Sequence, residues 1–313
     1  MQTLVLNHGD VLRHLDALVL LSEMRSAFVS DAGGRASAPT VTRVQPRPGA
    51  STTVLMPGLL EGIPAYSVQV LAGGASGGQG LLTLHALDSG RLLAVMDAAH
   101  LSALRSGVVA ALAADVLSRP DACRVALVGA AAPASLQLKC LRLVRSLTQL
   151  RVFDGDHARA FELAARLQST LHLPSRSTNT VEEAVADADI VVVTETAEVP
   201  LVLPGMLPAG CHVTSLGLEQ PGRRGLALET FEGGVFCDHQ GLARSSGAAG
   251  ALGLAAGTEL GEVLAGRAQG RTRASELTVF SHLGMPFQDL VAAWTVYQGA
   301  LGDDAVTRLD FSA

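Results

Sequence analysis

Five segments between residues 124 and 237 read as strands with few polar residues on either face. They are Arg124-Val125-Ala126-Leu127-Val128-Gly129, Leu150-Arg151-Val152-Phe153-Asp154, Asp189-Ile190-Val191-Val192-Val193-Thr194, Cys211 to Gly217, and Gly234 to Cys237. Apolar-periodic runs at 134–147 and 157–169 fall between them, and a capping box at Thr180-Val181-Glu182-Glu183 opens a further short helix. Runs without polar alternation must be covered on both faces, and helical crossovers join neighbouring strands in parallel. The expectation is an α/β fold with a doubly wound parallel sheet.

The chain is organised differently before Arg119-Pro120-Asp121. Val11 to Ser30 carries helical periodicity, Arg47 to Asp97 is cut by Pro and Gly into short strand-like runs such as Tyr66-Ser67-Val68-Gln69-Val70-Leu71, and Ala98 to Leu117 reads as a long helix. This predicts a second, α+β domain. The Gly-Ala-rich stretch Gly241 to Gly257 suits either a loop or a close-packed helix.

Composition narrows the function. In 313 residues, 23 basic and 29 acidic side chains give a net charge of −6 with no basic block, so nucleic acid is not an expected partner. A chain 48% hydrophobic can bury a core. The mean hydropathy of +0.34 reflects Ala, Leu, Val and Gly, and polar residues interrupt every apolar stretch, so no membrane span is expected. Met1 to Asn7 lacks the features of a secretory signal, and a cytoplasmic protein is expected. Four cysteines stand singly and nine histidines are dispersed, so neither disulfides nor a metal site is expected, and Cys237-Asp238-His239 reads as the polar end of a strand. Lys139 is the sole lysine, which excludes lysine chemistry elsewhere.

The turn Gly129-Ala130-Ala131-Ala132-Pro133-Ala134 stands where a Rossmann fold places its phosphate loop. Gly129 suits the tight turn. Ala131 replaces the second glycine, and Pro133 offers one N–H fewer to a pyrophosphate. Asp154, ending the next strand, is placed to accept from ribose hydroxyls and to repel a 2′-phosphate, which favours NAD over NADP. Its alternative role is a helix cap in Asp154-Gly155-Asp156.

These segments resemble the ornithine cyclodeaminase and mu-crystallin family over nearly the whole chain. Met56-Pro57-Gly58, Asp88-Ser89-Gly90 and Leu101-Ser102-Ala103-Leu104-Arg105-Ser106-Gly107 are similar to its N-terminal motifs, and Val213 to Arg223 to its central segment. Glu259 to Gly266, Gly270-Arg271, Phe280-Ser281-His282-Leu283-Gly284 and Gln288-Asp289-Leu290 follow its C-terminal motifs in order. The resemblance implies a homodimer. It implies a substrate and dimerisation domain from 1–118 with 286–313, and a Rossmann-type dinucleotide-binding domain from 119–285. It also implies an amino-acid or cyclic imine substrate and hydride exchange at Cα with a nicotinamide.

Carried over residue by residue, the resemblance puts Arg47 and Arg105 at the substrate carboxylate, Arg105 near the cofactor too, and Leu283 beside the substrate. Gln69 stands where the family has a lysine, and Glu219 where it has a catalytic aspartate. Thr83, Gly129, Ala130, Ala131, Ala132, Pro133, Asp154, Thr196, Val213, Thr214, Ser215, Leu216 and Arg223 match cofactor positions, and His282 replaces a cofactor-contacting serine. The expected activity is an NAD-dependent cyclodeamination of the ornithine-to-proline type. Its alternatives are a ketimine reductase or amino-acid dehydrogenase, and a non-catalytic ligand-binding member.

Overall fold

The computed structural model describes residues 2–44, 52–74, 77–130, 134–216, 224–227, 233–246 and 257–311. The chain divides into two compact units, Met1–Arg105 with Gly284–Ala313, and Ser106–Leu283. The sequence expectation set the boundaries at 118 and 286. The division at Arg105 falls inside the long helix.

The first unit holds β1 (Thr3–Leu6), α1 (His8–His14), α2 (Ala17–Ala32), β2 (Thr42–Val44), β3 (Thr52–Gly58), β4 (Ala65–Gly74), β5 (Gly77–Ala86), β6 (Leu92–Asp97) and the start of α3 (Ala98–Leu117). The C-terminal stretch returns α9 (Pro286–Ala300) and β15 (Thr307–Leu309) to it. The sheet runs β15-β1-β6-β5-β4-β3-β2, antiparallel from β6 to β2. The single helix expected at 11–30 is two. Asp16 caps α2 by accepting from the N–H groups of Leu18 and Val19 at 2.8 and 3.0 Å, and this breaks the run. Helix α9 packs on α2, β3 and β4, where Phe287 meets Phe28 edge to face at 5.3 Å.

The second unit continues with β7 (Arg124–Val128), α4 (Ala134–Leu141), β8 (Gln149–Phe153), α5 (His157–Leu171), β9 (Ser175–Ser177), α6 (Val181–Val185), β10 (Ile190–Val193) and β11 (His212–Ser215). It ends with β12 (Gly234–Cys237), α7 (Gln240–Ser246), β13 (Thr258–Glu259), α8 (Leu260–Leu264) and β14 (Thr278–Ser281). All strands pair in parallel in the order β13-β12-β14-β11-β10-β7-β8-β9, which is the doubly wound sheet. Alternate residues serve two cores. Val125, Leu127, Ile190 and Val192 face one cluster with Leu138, Leu163 and Leu167, while Ala126, Val128, Val191 and Val193 face another with Val181, Val185 and Val213.

Three local readings change. Helix α4 ends at Leu141 rather than 147, and Arg145 beyond it bonds Asp115 at 2.9 Å. At the capping box Thr180 accepts from the Glu183 N–H, but the Glu183 carboxylate takes the N–H of Asn179. Helix α3 is by length and composition apolar enough to cross a membrane, against the expectation that charges forbid it. Two-thirds of its most apolar window is buried, as befits a core helix.

Buried Asp189 fixes the start of the parallel sheet. It accepts from Arg119 and Arg124 at 2.6 and 2.9 Å and from the N–H groups of Cys123 and Arg124 at 3.1 and 3.0 Å. Burial alone would raise its carboxyl, yet the Arg124 side chain and these backbone donors outweigh it and hold it well below the usual carboxylate range.

Candidate active site

Each unit carries a polar assembly that could hold a ligand. In the second unit it lies along the carboxyl ends of the parallel strands. The strand order reverses between β7 and β10, the switch point where open α/β sheets leave a crevice for ligands. There Gly129 has φ +103°, and a Cβ on it would stand 2.5 Å from Thr194 Oγ1 and 2.8 Å from Glu195 Cβ. Only glycine allows this approach, in which Thr194 donates to the Gly129 carbonyl at 3.0 Å.

Asp154 ends β8 beside it and is 4% exposed. One carboxylate oxygen accepts from the Ala130 N–H at 2.7 Å, and the other from the Asp156 N–H at 2.7 Å and from Arg159 at 2.8 Å. The cap of α5 is Asp156. Asp154 therefore ties the first turn of the phosphate-loop position to the end of the next strand. A bare α-carbon at the switch point and a carboxylate at the end of the adjacent strand fit a dinucleotide.

Thr196 follows β10. Val213, Thr214 and Ser215 form the buried end of β11, and Leu216 bonds back to Val193 through its N–H at 2.8 Å. From Asp154 to Leu216 the array covers four adjacent strands, roughly 14 Å at usual strand spacing. Thr214 also belongs to an internal network, because its hydroxyl meets His212 Nε2 at 3.0 Å while His212 Nδ1 meets Thr278 at 3.0 Å. Burial, with Arg271 and Arg145 nearby, pushes the His212 imidazole down to about 3, so it is neutral at pH 7.

At the ends of β12 and β14, buried Asp238 pairs with His282 Nδ1 at 3.0 Å and accepts the Leu283 N–H at 2.7 Å. The sequence reading took Asp238 for an idle strand end. Its partner lies 44 residues away on a neighbouring strand, and no local pattern announces such a pair.

In the first unit the assembly is buried. Ser67 and Gln69 alternate on the inner face of β4 at 0% exposure, and Gln69 Nε2 donates to Ser102 Oγ at 2.6 Å. One turn on along α3, Arg105 donates through Nε to Asp289 at 2.8 Å and through Nη1 to Gln288 Oε1 at 3.1 Å. Both partners lie in the first turn of α9 and are 0% exposed. Ser102, Gln288 and Asp289 stand in the sequence only as members of motifs, with no local signal of this contact. Two polar residues at i and i+2 in a buried strand were the signal within β4.

Thr83 does not join them. It is the register partner of Val68, whereas Gln69 pairs with Leu82, so Thr83 lies on the opposite face of the β4–β5 pair and meets His85 at 3.0 Å. Arg47, Ala131, Ala132, Pro133, Glu219 and Arg223 lie outside the described residues. Lys139 is exposed on α4. Cys140, Cys211 and Cys237 are buried, and burial first of all pushes each thiol up to about 12.

A two-sided parallel sheet with a glycine at its switch point, beside a second unit that holds a buried arginine, defines a dinucleotide-fold protein of two units. Residues 1–304 match the model of the ornithine cyclodeaminase/mu-crystallin family, and the chain belongs to that family. It is 27% identical to an alanine dehydrogenase of Archaeoglobus fulgidus over 74% of this chain and 73% of that one. It is 32% identical to an L-lysine cyclodeaminase of Streptomyces rapamycinicus over 66% of this chain and 61% of that one. Its fold is that of the Thermococcus litoralis Delta(1)-pyrroline-2-carboxylate reductase, solved with NADH and L-proline. The TM-score is 0.92 at 24% identity, covering 98% and 100% of the two chains.

Proposed function

We propose that this protein is an NAD-dependent oxidoreductase that exchanges hydride at the Cα of a small amino or imino acid, and that it works as a reductase of cyclic α-imino acids. The observation that carries this reading is Gln69, buried and held by Ser102, at the position where the family has a lysine. Cyclodeamination moves protons at nitrogen repeatedly: the α-ammonium must lose one, ammonia must leave and the attacking amine must be neutral. A lysine can exchange protons in that sequence, whereas a glutamine amide offers only neutral donors and an acceptor. Reduction of a protonated cyclic imine asks less, since the nitrogen arrives with its proton.

Bound NADH supplies the hydride. Gly129, Ala130 and Asp154 hold its adenosine side, with Ala131, Ala132, Pro133 and Arg223 joining through the family resemblance. Thr196, Val213 to Leu216 and His282 line the nicotinamide side. Arg105, fixed by Asp289 and Gln288, takes the substrate carboxylate with Arg47, and the Gln69 carbonyl oxygen accepts the imine N–H. Glu219 is the acid–base group, Leu283 packs against the substrate, and the active form is a homodimer. The second reading is cyclodeamination of a diamino acid, favoured by the likeness to the L-lysine cyclodeaminase.

The assay that separates them follows NADH at 340 nm with Δ1-pyrroline-2-carboxylate and, in parallel, ammonia with ornithine. NADH oxidation dependent on the imine, without ammonia from ornithine, is expected. Ammonia release at constant NADH would give the second reading, and inertness towards both would overturn the first.

A further inference from the structure

The polar assembly of the first unit has a charge balance that selects among carboxylates. Its charged members among the described residues are Arg105, 6% exposed, and Asp289, 0% exposed, joined at 2.8 Å. Together they are neutral. Its neutral members are incompletely matched: Gln69 Oε1, Ser67 Oγ and Gln288 Nε2 are buried without a hydrogen-bond partner among the described residues. Gln69 Oε1 can only accept. Its amide is anchored on Ser102, which stands three residues before Arg105 on one face of α3.

We infer that Asp289 sets the charge class of the ligand: the assembly takes zwitterionic α-amino or α-imino acids in preference to bare carboxylate anions such as 2-oxo acids. This rests on the reading that Arg105 binds the substrate carboxylate. A bare anion adds an uncompensated negative charge to a buried neutral cluster, which a poorly polarisable interior resists. A zwitterion adds none, and its N–H meets the Gln69 acceptor. Asp289 thereby acts through Arg105 in two ways, fixing the guanidinium plane by its hold on Nε and cancelling its charge. An enzyme built to aminate a free 2-oxo acid would gain from the opposite arrangement, an arginine left electropositive.

The test uses two ligands of one shape. L-Proline and cyclopentanecarboxylate share ring and carboxylate and differ in the ring ammonium. Calorimetric titration of the full-length protein saturated with NADH should show L-proline binding at least ~10-fold tighter. In Asp289→Asn the ratio should fall below about threefold, because the anion gains from an arginine no longer neutralised. Asp289→Glu, which keeps the charge, should retain the preference even if both ligands weaken.

Equal affinities in the unsubstituted protein would overturn the inference without any variant, whether or not Asp289→Asn folds. A ratio unchanged in Asp289→Asn, or an equal loss for both ligands, would overturn it by reducing Asp289 to a structural role. Binding of neither ligand by the unsubstituted protein would instead refute the carboxylate reading of Arg105, and the inference with it.

Discussion

Gly284 faces Arg105 with no room for a methyl group between them. A Cβ on Gly284 would stand 2.8 Å from Nη1 and 3.0 Å from Nη2, and its φ of +85° is one that side chains resist. The guanidinium cannot simply retreat, since Asp289 and Gln288 hold it. Gly284→Ala should cost about 1–3 kcal/mol of stability from backbone strain. It should also weaken L-proline while leaving NADH affinity unchanged. Calorimetry with both ligands checks this, and an intact proline affinity would show that the guanidinium moves freely.

Cofactor choice should follow Asp154 and its neighbour. The carboxylate disfavours a 2′-phosphate, so NADH should bind more tightly than NADPH, and Asp154→Ser should narrow the gap. Arg159 donates to the same oxygen of Asp154 and softens that repulsion. Arg159→Ala should therefore widen the gap. Equal affinities for the two cofactors in the unsubstituted protein would remove Asp154 from this role.

Acidification should loosen the second unit before carboxylates begin to protonate. His212 titrates near 3 when folded and near 6.5 when unfolded, so the unfolded chain binds the extra proton between those values. Stability is full above about pH 6.5 and falls as the pH drops towards 3, by up to about 1.4 kcal/mol per pH unit. His212→Gln removes this titration. Urea unfolding followed by circular dichroism at pH 7.5, 6 and 5 should show a shallower pH slope in the variant, and identical slopes would refute the assignment.

Ornithine should be a poor substrate. Losing a charged donor at a reacting centre commonly costs ~10²–10³ in rate, and Lys139 lies exposed on a helix of the other unit. Gln69→Lys should raise proline formation from ornithine if the rest of the pocket suits a diamino acid. A variant that folds and binds NAD but forms no more proline would count against that pocket.

The parallel sheet was legible because both its faces are buried, which writes uninterrupted Val, Ile and Leu into β7 and β10. Gly129 and Asp154 were legible because strand ends place them. Asp289 was not: an acid in the first turn of a helix is an ordinary preference, and its partner lies 184 residues earlier. A separation of 44 residues likewise hid the pairing of Asp238 with His282. Helix ends at Leu15 and Leu141 escaped because a cap and a side-chain bond stop them rather than Gly or Pro. Thr83 stands on the face opposite Gln69, a placement that strand register decides, since a one-residue offset changes the face.

The return of α9 to the first unit imposes an order on biosynthesis. Residues up to Arg105 leave the ribosome without Phe287 to cover Phe28 and without Asp289 to neutralise Arg105. They must wait while the whole of Ser106–Leu283 is translated, on the order of 10 s at usual elongation speeds. The parallel sheet can complete itself during that interval, whereas the nascent N-terminal third stays open to chaperones and proteases. A premature stop anywhere before Pro286 therefore damages a region whose synthesis had ended at Arg105, and the last helix serves as the quality check on the first unit.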